Sequence, residues 1–239
     1  MSGHSKWANI KHKKERSDVK KGKIFSRVSK EIISAVKQGG ADPGTNAKLR
    51  LAIQKAKAAN FPHDNIKRNI KKAMSGDQID FSEIMYEIYG HGGVGIVVDV
   101  ITDNKNRVSS EIRIATNKKG GNIASPGSVL FNFDRKGMIQ IPKDQGTEEE
   151  LFNLAVSAGA EDFSVTDETY IVVTSSEMLC EVKEKIESGG IATCEANLEM
   201  IPKNFVACDE GTTQANYALI DYLEKSCDVD AVFHNMTQP

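Results

Sequence analysis

Charge is divided very unevenly along this chain. Residues 1–75 carry 19 Lys and Arg against 5 Asp and Glu, whereas residues 76–239 carry 12 against 28. The first part therefore has a formal charge of +14 and the rest has −16. A surplus of this size within 75 residues favours a polyanionic partner over an ordinary solvated, lysine-rich surface. We expect the first third of the chain to be a separate basic domain that binds nucleic acid.

The overall composition limits the class of protein. A chain of 239 residues can form two or three domains, and 39% hydrophobic and 27% charged residues are typical of a globular protein. No run of 18 apolar residues occurs, and the N-terminus lacks the apolar segment of a secretory signal. We therefore expect a cytoplasmic protein without a membrane partner.

Cysteine and histidine positions argue against a metal site. Four cysteines occur without a CxxC pair, and the five histidines lie at no metal-ligand spacing to them. Isolated cysteines in a chain of this length are typical of reduced thiols in the cytosol. We expect no metal and no cofactor. The cysteines are Cys180, Cys194, Cys208 and Cys227.

The first 17 residues show no helical periodicity. Trp7 and Ile10 are their only large apolar residues, and the neighbours are mostly basic. Such an arm can lie along phosphates and stack its aromatic ring on a base. Alternatively, Trp7 anchors the arm to its own domain, because a tryptophan is usually largely buried. Both interpretations remain open.

Helical periodicity begins at about Asp18 and predicts three helices up to Gly76. In the first, Phe25, Val28 and Ile32 lie on one stripe, and the basic residues fall on the opposite side, which we expect to face solvent. Turn residues at 39–44 separate the first helix from the second, and Thr45 or Asn46 is the expected N-cap of the second. Residues 60–62 separate the second helix from the third, and both of these helices also expose basic side chains.

The candidate nucleic-acid-binding residues lie on the arm and on the outer faces of these helices. They are His4, Lys6, Trp7, Lys11, Lys13, Lys14, Arg16, Lys20, Lys23, Arg27, Lys30, Lys48, Arg50, Lys67, Arg68, Lys71 and Lys72.

Strand patterns follow the basic part. Residues 81–89 and 94–102 flank the turn at residues 90–93, and the stretch GHGGVG (90–95) resembles a glycine-rich phosphate-binding loop. A dinucleotide loop leads into a helix, whereas this one leads into the strand-like GIVVDVIT, so a hairpin turn is the better interpretation. Residues 103–119 are predicted to be helical and residues 128–133 to form a strand.

The helix at 103–119 carries a possible second basic patch, formed by Lys105, Arg107 and Arg113. This patch could face an anion. The alternative is favourable basic charge near a helix C-terminus together with two solvated arginines.

Residues 137–203 show a complete βαββαβ pattern, which is the ferredoxin-like order, and residues 147–150 are expected to form a capping box at the start of its first helix. Residues 137–203 carry 4 basic and 14 acidic residues. A helix and a strand after residue 204 then lack a domain of their own. The economical solution inserts the acidic domain (137–203) into a middle domain formed by residues 81–136 and 204–239. The predicted fold class is α+β: a basic three-helix domain (1–76) followed by two α/β sandwich domains of ferredoxin-like type.

Several long motifs identify a family. The stretches GHSKWANIKHKK, KGKIFSRVSKEIISAVK, NAKLRLAIQKAKAANFPHDNIKRNIKKA and VVDVITDNKNRVSSEIR resemble the YebC/PmpR family, and the likeness runs over essentially the whole chain. That family includes bacterial proteins described as transcriptional regulators and a mitochondrial translational activator. The resemblance implies three domains with the basic helical one first, and no enzymatic activity. A proline common in the glycine turn of relatives is His91 here, so no role is carried over to it.

Three classes of function follow from these observations. The first is a nucleic-acid-binding regulator of gene expression, of which a DNA-binding transcriptional regulator is the leading form. The second is a ribosome-associated translation factor, because the resemblance also implies ribosomal RNA contact and relief of stalling at proline-rich stretches. In that case the acidic domain would meet ribosomal or other basic proteins. The third is an enzyme, which the absence of any nucleophile, phosphate-loop or metalloprotease motif disfavours. No small-molecule substrate is expected.

Overall fold

The computed structural model describes residues 21–75 and 81–237, with side chains from residue 24 onward. The helices are α1 (Lys21–Gly39), α2 (Ala47–Ala58), α3 (His63–Met74), α4 (Lys105–Lys119), α5 (Glu148–Ala158), α6 (Leu179–Ser188) and α7 (Glu210–Leu223). The strands are β1 (Ser82–Tyr89), β2 (Gly95–Thr102), β3 (Asn122–Ile123), β4 (Phe133–Pro142), β5 (Asp162–Val165), β6 (Thr169–Ser175), β7 (Glu195–Pro202), β8 (Val206–Ala207), β9 (Val229–His234) and β10 (Met236–Thr237).

Helices α1, α2 and α3 share one apolar core. Ile32 of α1 and Leu49 of α2 are fully buried in it, and the rings of Phe25 and Phe61 meet edge to face with centroids 5.0 Å apart. Asn46 connects the first two helices, because its side chain accepts a hydrogen bond from the Leu49 amide and donates to two carbonyls at the end of α1. The predicted cap at residues 45–46 is thus Asn46.

The middle sheet has the strand order β3-β1-β2-β9. Strands β1 and β2 form the predicted antiparallel hairpin, and its turn uses Gly92 and Gly93 at φ values of 68° and 79°. Helices α4 and α7 cover one face with a shared core that includes Val108, Ile112 and Leu219. The late strand β9 therefore lies beside β2, in the same sheet as the hairpin.

The strand expected at residues 128–133 is wrong. Residues Leu130–Asn132 form a short 3-10 turn, and β4 begins at Phe133. The cause is Glu87, a buried residue of β1 whose carboxylate accepts hydrogen bonds from the amides of Gly127, Val129 and Leu130 at 2.5, 2.6 and 2.7 Å. The three amides converge on one carboxylate, whereas the amides of a strand point to alternate sides. The segment therefore cannot pair with a neighbouring strand in the usual way.

Residues Asn132–Lys203 form one compact unit, and the described residues before and after them form another. The sheet of the first unit has the order β5-β6-β4-β7 with antiparallel neighbours throughout, as in a ferredoxin-like fold. The predicted capping box is present, with Thr147 and Glu150 exchanging hydrogen bonds at the start of α5. Strand β4 begins four residues before the expected position 137, because residues 133–136 already pair with β7.

The predicted fold class is confirmed, since the molecule is α+β with three helices followed by sheet-containing parts. Within the ranges 21–75 and 81–237, no helix is both long and apolar enough to cross a membrane.

Candidate nucleic-acid interface

Helix α3 presents the clearest cationic surface. Ile66 is buried in the bundle core, whereas Lys67, Arg68, Lys71 and Lys72 are all exposed. At about 100° per residue, these four side chains cover an arc of about 140° on the side opposite Ile66. We call this set of four the α3 basic surface.

The charges of the α3 basic surface are not compensated by carboxylates of the described chain. Arg68 donates a hydrogen bond to the neutral amide oxygen of Asn65 at 2.7 Å, and across residues 21–75 and 81–237 none of the four forms an ion pair. Lys67 and Lys71 are four residues apart, as are Arg68 and Lys72, and like charges at this spacing repel each other. A bound polyanion would remove that repulsion.

Two further candidates of the bundle have local structural partners. Lys48 is exposed, and its Nζ donates to the side-chain oxygen of Gln38 at 2.7 Å. Arg50 is half-buried and donates to the carbonyls of Pro43 and Gly44 at 2.6 and 3.0 Å, so it holds the loop before α2. Lys48 can turn toward a ligand at little cost, but Arg50 would lose two hydrogen bonds.

The expectation that Lys30 faces solvent is wrong, whereas Arg27 keeps 37% of its side chain exposed. Arg27 forms an ion pair with Asp230 of β9, and Lys30 forms one with Asp228. Lys30 also donates to the carbonyls of Ile101 and Cys227 at 3.2 and 2.8 Å, and its side chain is only 13% exposed. The middle sheet covers this side of α1, so these cations hold two parts of the fold together.

Asp228 is the centre of this arrangement. Its side chain is fully buried and also accepts hydrogen bonds from Nε and Nη2 of Arg107, at 2.9 and 2.6 Å. We call Lys30, Arg107 and Asp228 the Asp228 cluster. Burial alone would raise the pKa of Asp228, but hydrogen bonds from Lys30 and Arg107 outweigh it, so the pKa lies below its usual value. The same contact with Asp228, together with one to Asp103, raises the pKa of Arg107.

The members of the predicted second basic patch differ in their surroundings. Arg107 forms ion pairs with Asp228 and Asp103, although its side chain is 41% exposed, whereas Lys105 and Arg113 are exposed. The sequence does not identify Asp228 as a structural residue, because a single acidic residue belongs to no helical or strand periodicity. The short apolar run after it predicts only that a strand follows.

The remaining candidates all precede residue 24, where the described side chains begin. His4, Lys6, Trp7, Lys11, Lys13, Lys14, Arg16 and Lys20 lie outside the described residues, and for Lys23 only the helical backbone is described. In the described part of the chain, no group of three or more His, Cys, Asp or Glu side chains could hold a metal ion. The four cysteines carry free thiols.

Two family models match the chain. The model of the TACO1/YebC protein N-terminal domain covers residues 5–76, and the model of the TACO1/YebC second and third domain covers residues 81–236. The class is thus a three-domain protein with a helical N-terminal domain. The chain belongs to the TACO1/YebC family, which confirms the resemblance seen in its motifs.

Individual relatives match over their full length. A probable transcriptional regulatory protein of Protochlamydia amoebophila is 61% identical over 239 residues, which covers 100% of this chain and 98% of that protein. Another, from Chlamydia pneumoniae, is 56% identical and covers 99% of this chain and 100% of that one. The crystal structure of a conserved hypothetical protein from Aquifex aeolicus is similar, with a TM-score of 0.85 at 40% identity, over 94% of this chain and 93% of the other.

Proposed function

We propose that this protein is a non-enzymatic regulator of gene expression that binds double-stranded DNA through the α3 basic surface, assisted by the basic residues before α1. The observation that carries the proposal is the set of four exposed cations on α3 without a carboxylate partner in the described chain. The names of the relatives, probable transcriptional regulatory proteins, support transcription as the process that is regulated.

The dimensions of α3 suit a phosphate backbone. Residues 67–72 span about 7.5 Å of helix axis at 1.5 Å per residue. Duplex DNA carries one charge per about 1.7 Å of its axis, so several phosphates lie within reach of the four flexible side chains. Contacts of this kind position a protein on DNA without reading its sequence. Binding is therefore expected to be strong at low salt and to tolerate many sequences.

Salt dependence tests the proposal. If about six phosphates are neutralised, the logarithm of the affinity for a duplex should fall against the logarithm of salt with a slope of about −5. Replacing Lys67 and Lys71 by Gln should reduce the magnitude of that slope by about 2. The matched control is Lys143→Gln with Lys203→Gln, which removes two exposed charges from the unit Asn132–Lys203.

The outcome distinguishes three cases. A reduced slope in the α3 variant alone supports the proposal. Equal losses in both variants would mean that only total charge matters, and the α3 basic surface would then not be the site. Tight binding to a ribosomal RNA fragment with no binding to duplex DNA at the same salt would overturn the DNA assignment.

A ribosome-associated translation factor is the second candidate. The observation that favours it is the acidity of the unit Asn132–Lys203, which has 15 acidic residues against 6 basic ones. Such a unit is repelled by phosphate and suits a basic protein surface, and ribosomes combine both surfaces. Sedimentation of the protein with ribosomes at low salt, and its absence from promoter fragments, would support this candidate.

A further inference from the structure

Helix α5 exposes two large apolar side chains on one side. Phe152 is 47% exposed and Val156 is 55% exposed, and they are neighbours because they lie four residues apart. An adjacent side of the same helix packs into the core, since Leu151, Ala155 and Ala158 are buried. About half of each of these two apolar side chains therefore remains exposed to solvent.

The apolar surface has an ordered base. The ring of Phe152 meets the ring of Phe163, on β5, edge to face with centroids 5.7 Å apart. Phe163 in turn stacks on the buried Tyr170 of β6, again with centroids 5.7 Å apart. Packing of this kind restricts the rotamer of Phe152, so a partner that binds here loses little side-chain entropy.

Acidic residues border the apolar pair. Glu148 precedes Phe152 by four residues and Glu149 precedes Val156 by seven, so all four lie on an arc of about 100°. Both glutamates are exposed, and in the described residues neither forms an ion pair. We call Glu148, Glu149, Phe152 and Val156 the α5 surface.

We propose that the α5 surface docks a basic segment of a partner protein, with an apolar side chain of that segment placed on Phe152 and Val156. The negative charge around the α5 surface selects a positively charged partner. The surrounding unit has 15 acidic residues against 6 basic ones, so it repels nucleic acid and anionic lipid, and it repels a second copy of itself. A Lys- or Arg-rich polypeptide is attracted to the two glutamates and supplies apolar contact at the same time.

The apolar pair should determine how long such a complex lives. Exposed charges mainly accelerate encounter and choose the partner, whereas a desolvated aromatic anchor slows dissociation. Removing the apolar pair should therefore weaken binding more than neutralising one glutamate. This inference does not depend on binding of nucleic acid by α3, and its test contains none.

The probe is a fluorescein-labelled, 14-residue peptide of Lys and Arg with two Leu side chains at helical spacing, titrated with the full chain in a fluorescence anisotropy assay. Phe152→Ser combined with Val156→Ser should weaken binding at least tenfold. Glu149→Gln should weaken it about threefold and flatten its dependence on salt. Matched controls are Ile114→Ser, an exposed apolar residue of α4, and Glu195→Gln, an exposed acid on β7. Neither control should change the affinity.

Three results would overturn the proposal. Unchanged binding by the Phe152 and Val156 variant would show that the peptide is held by general charge attraction. A concentration-dependent dimer, abolished by the same variant in sedimentation equilibrium, would make a second copy the occupant. A several-fold gain in affinity when Lys11, Lys13 and Lys14 are changed to Gln would make the chain's own basic arm the occupant.

Discussion

Arg107 donates hydrogen bonds from both Nε and Nη2 to a single carboxylate oxygen of Asp228, at 2.9 and 2.6 Å. The other oxygen of Asp228 meets Nζ of Lys30. One buried carboxylate therefore joins α1 of the helical bundle to α4 of the middle sheet. The cluster couples the stability of these two parts, because loss of either cation leaves one oxygen of a buried carboxylate without its charged partner.

Asp228→Asn should strongly destabilise the fold. The substitution keeps the size of the side chain but leaves Lys30 and Arg107 without their shared charge. Breaking a buried ion pair costs about 3–5 kcal/mol. We expect a loss of about 3 kcal/mol in the free energy of unfolding, the low end of that range, because the side chain of Arg107 is 41% exposed. Urea denaturation measures it.

The control for this experiment is Glu210→Gln, which removes an exposed carboxylate from α7. It should change the free energy of unfolding by no more than about 0.5 kcal/mol. A loss in Asp228→Asn as small as that of the control would show that the cluster does not stabilise the docked bundle.

The stabilising effect of the Asp228 carboxylate should depend on pH. The pKa of Asp228 in the folded protein lies below its value in the unfolded chain, about 3.9, because Lys30 and Arg107 outweigh the effect of burial. Its contribution is therefore complete above about pH 4 and is lost as the pH falls below that value. The difference in unfolding free energy between wild type and Asp228→Asn should be constant from pH 7 to 5 and should shrink toward pH 3. A difference that grows in acid would contradict the assignment.

Glu87→Gln should loosen the segment before β4. Burial raises the pKa of Glu87, but hydrogen bonds from Leu130, Gly127 and Val129 lower it further, so this carboxylate stays ionised. A glutamine must present its amino group to at least one of these amides, which leaves a buried donor unpaired. We expect a loss of about 1–3 kcal/mol and faster hydrogen exchange at residues 127–130.

Glu83→Gln is the matched control for Glu87→Gln, since it changes an exposed glutamate of the same strand. Its effect on exchange at residues 127–130 should be negligible. If both variants exchange at the same rate as wild type, the three amides do not depend on the Glu87 carboxylate.

Gly90 and Asn216 should be coupled in a double-mutant cycle. The buried side chain of Asn216 accepts from the amide of His91 at 2.8 Å and donates to its carbonyl at 3.0 Å. A Cβ on Gly90 would lie 2.3 Å from Asn216 Oδ1. Gly90→Ala should therefore cost about 1–3 kcal/mol in wild type and clearly less when Asn216 is already Ala. Effects that add within about 0.5 kcal/mol in thermal unfolding would contradict the clash.

Local signals in the sequence predicted local structure well. The cap at Asn46, the box formed by Thr147 and Glu150, and the hairpin around Gly92 each depend on residues a few positions apart. The α3 basic surface belongs to the same class, because helical periodicity places its side chains opposite a buried Ile66. Their exposure could be predicted without knowing which distant parts of the chain pack nearby.

The errors concern contacts between distant residues. A helical wheel finds the apolar stripe of α1, but it cannot show that a second side is covered by a sheet that closes much later in the chain. The sequence therefore predicts that Lys30 faces solvent, whereas its side chain meets Asp228, 198 residues away. The strand expected at 128–133 failed for the same reason, since the amides of that segment are bound by Glu87, about 40 residues earlier.

The position of β9 has a consequence for synthesis of the chain. Strand β2 gains its second neighbour only when residues 229–234 have been made, so the middle sheet stays open at that edge while the whole acidic unit is translated. At about 5–20 residues per second, the 198 residues between Lys30 and Asp228 take about 10–40 s to appear. For that interval Lys30 lacks its partner Asp228 and this flank of α1 is uncovered, and the unit Asn132–Lys203 can fold before the sheet that surrounds it in sequence.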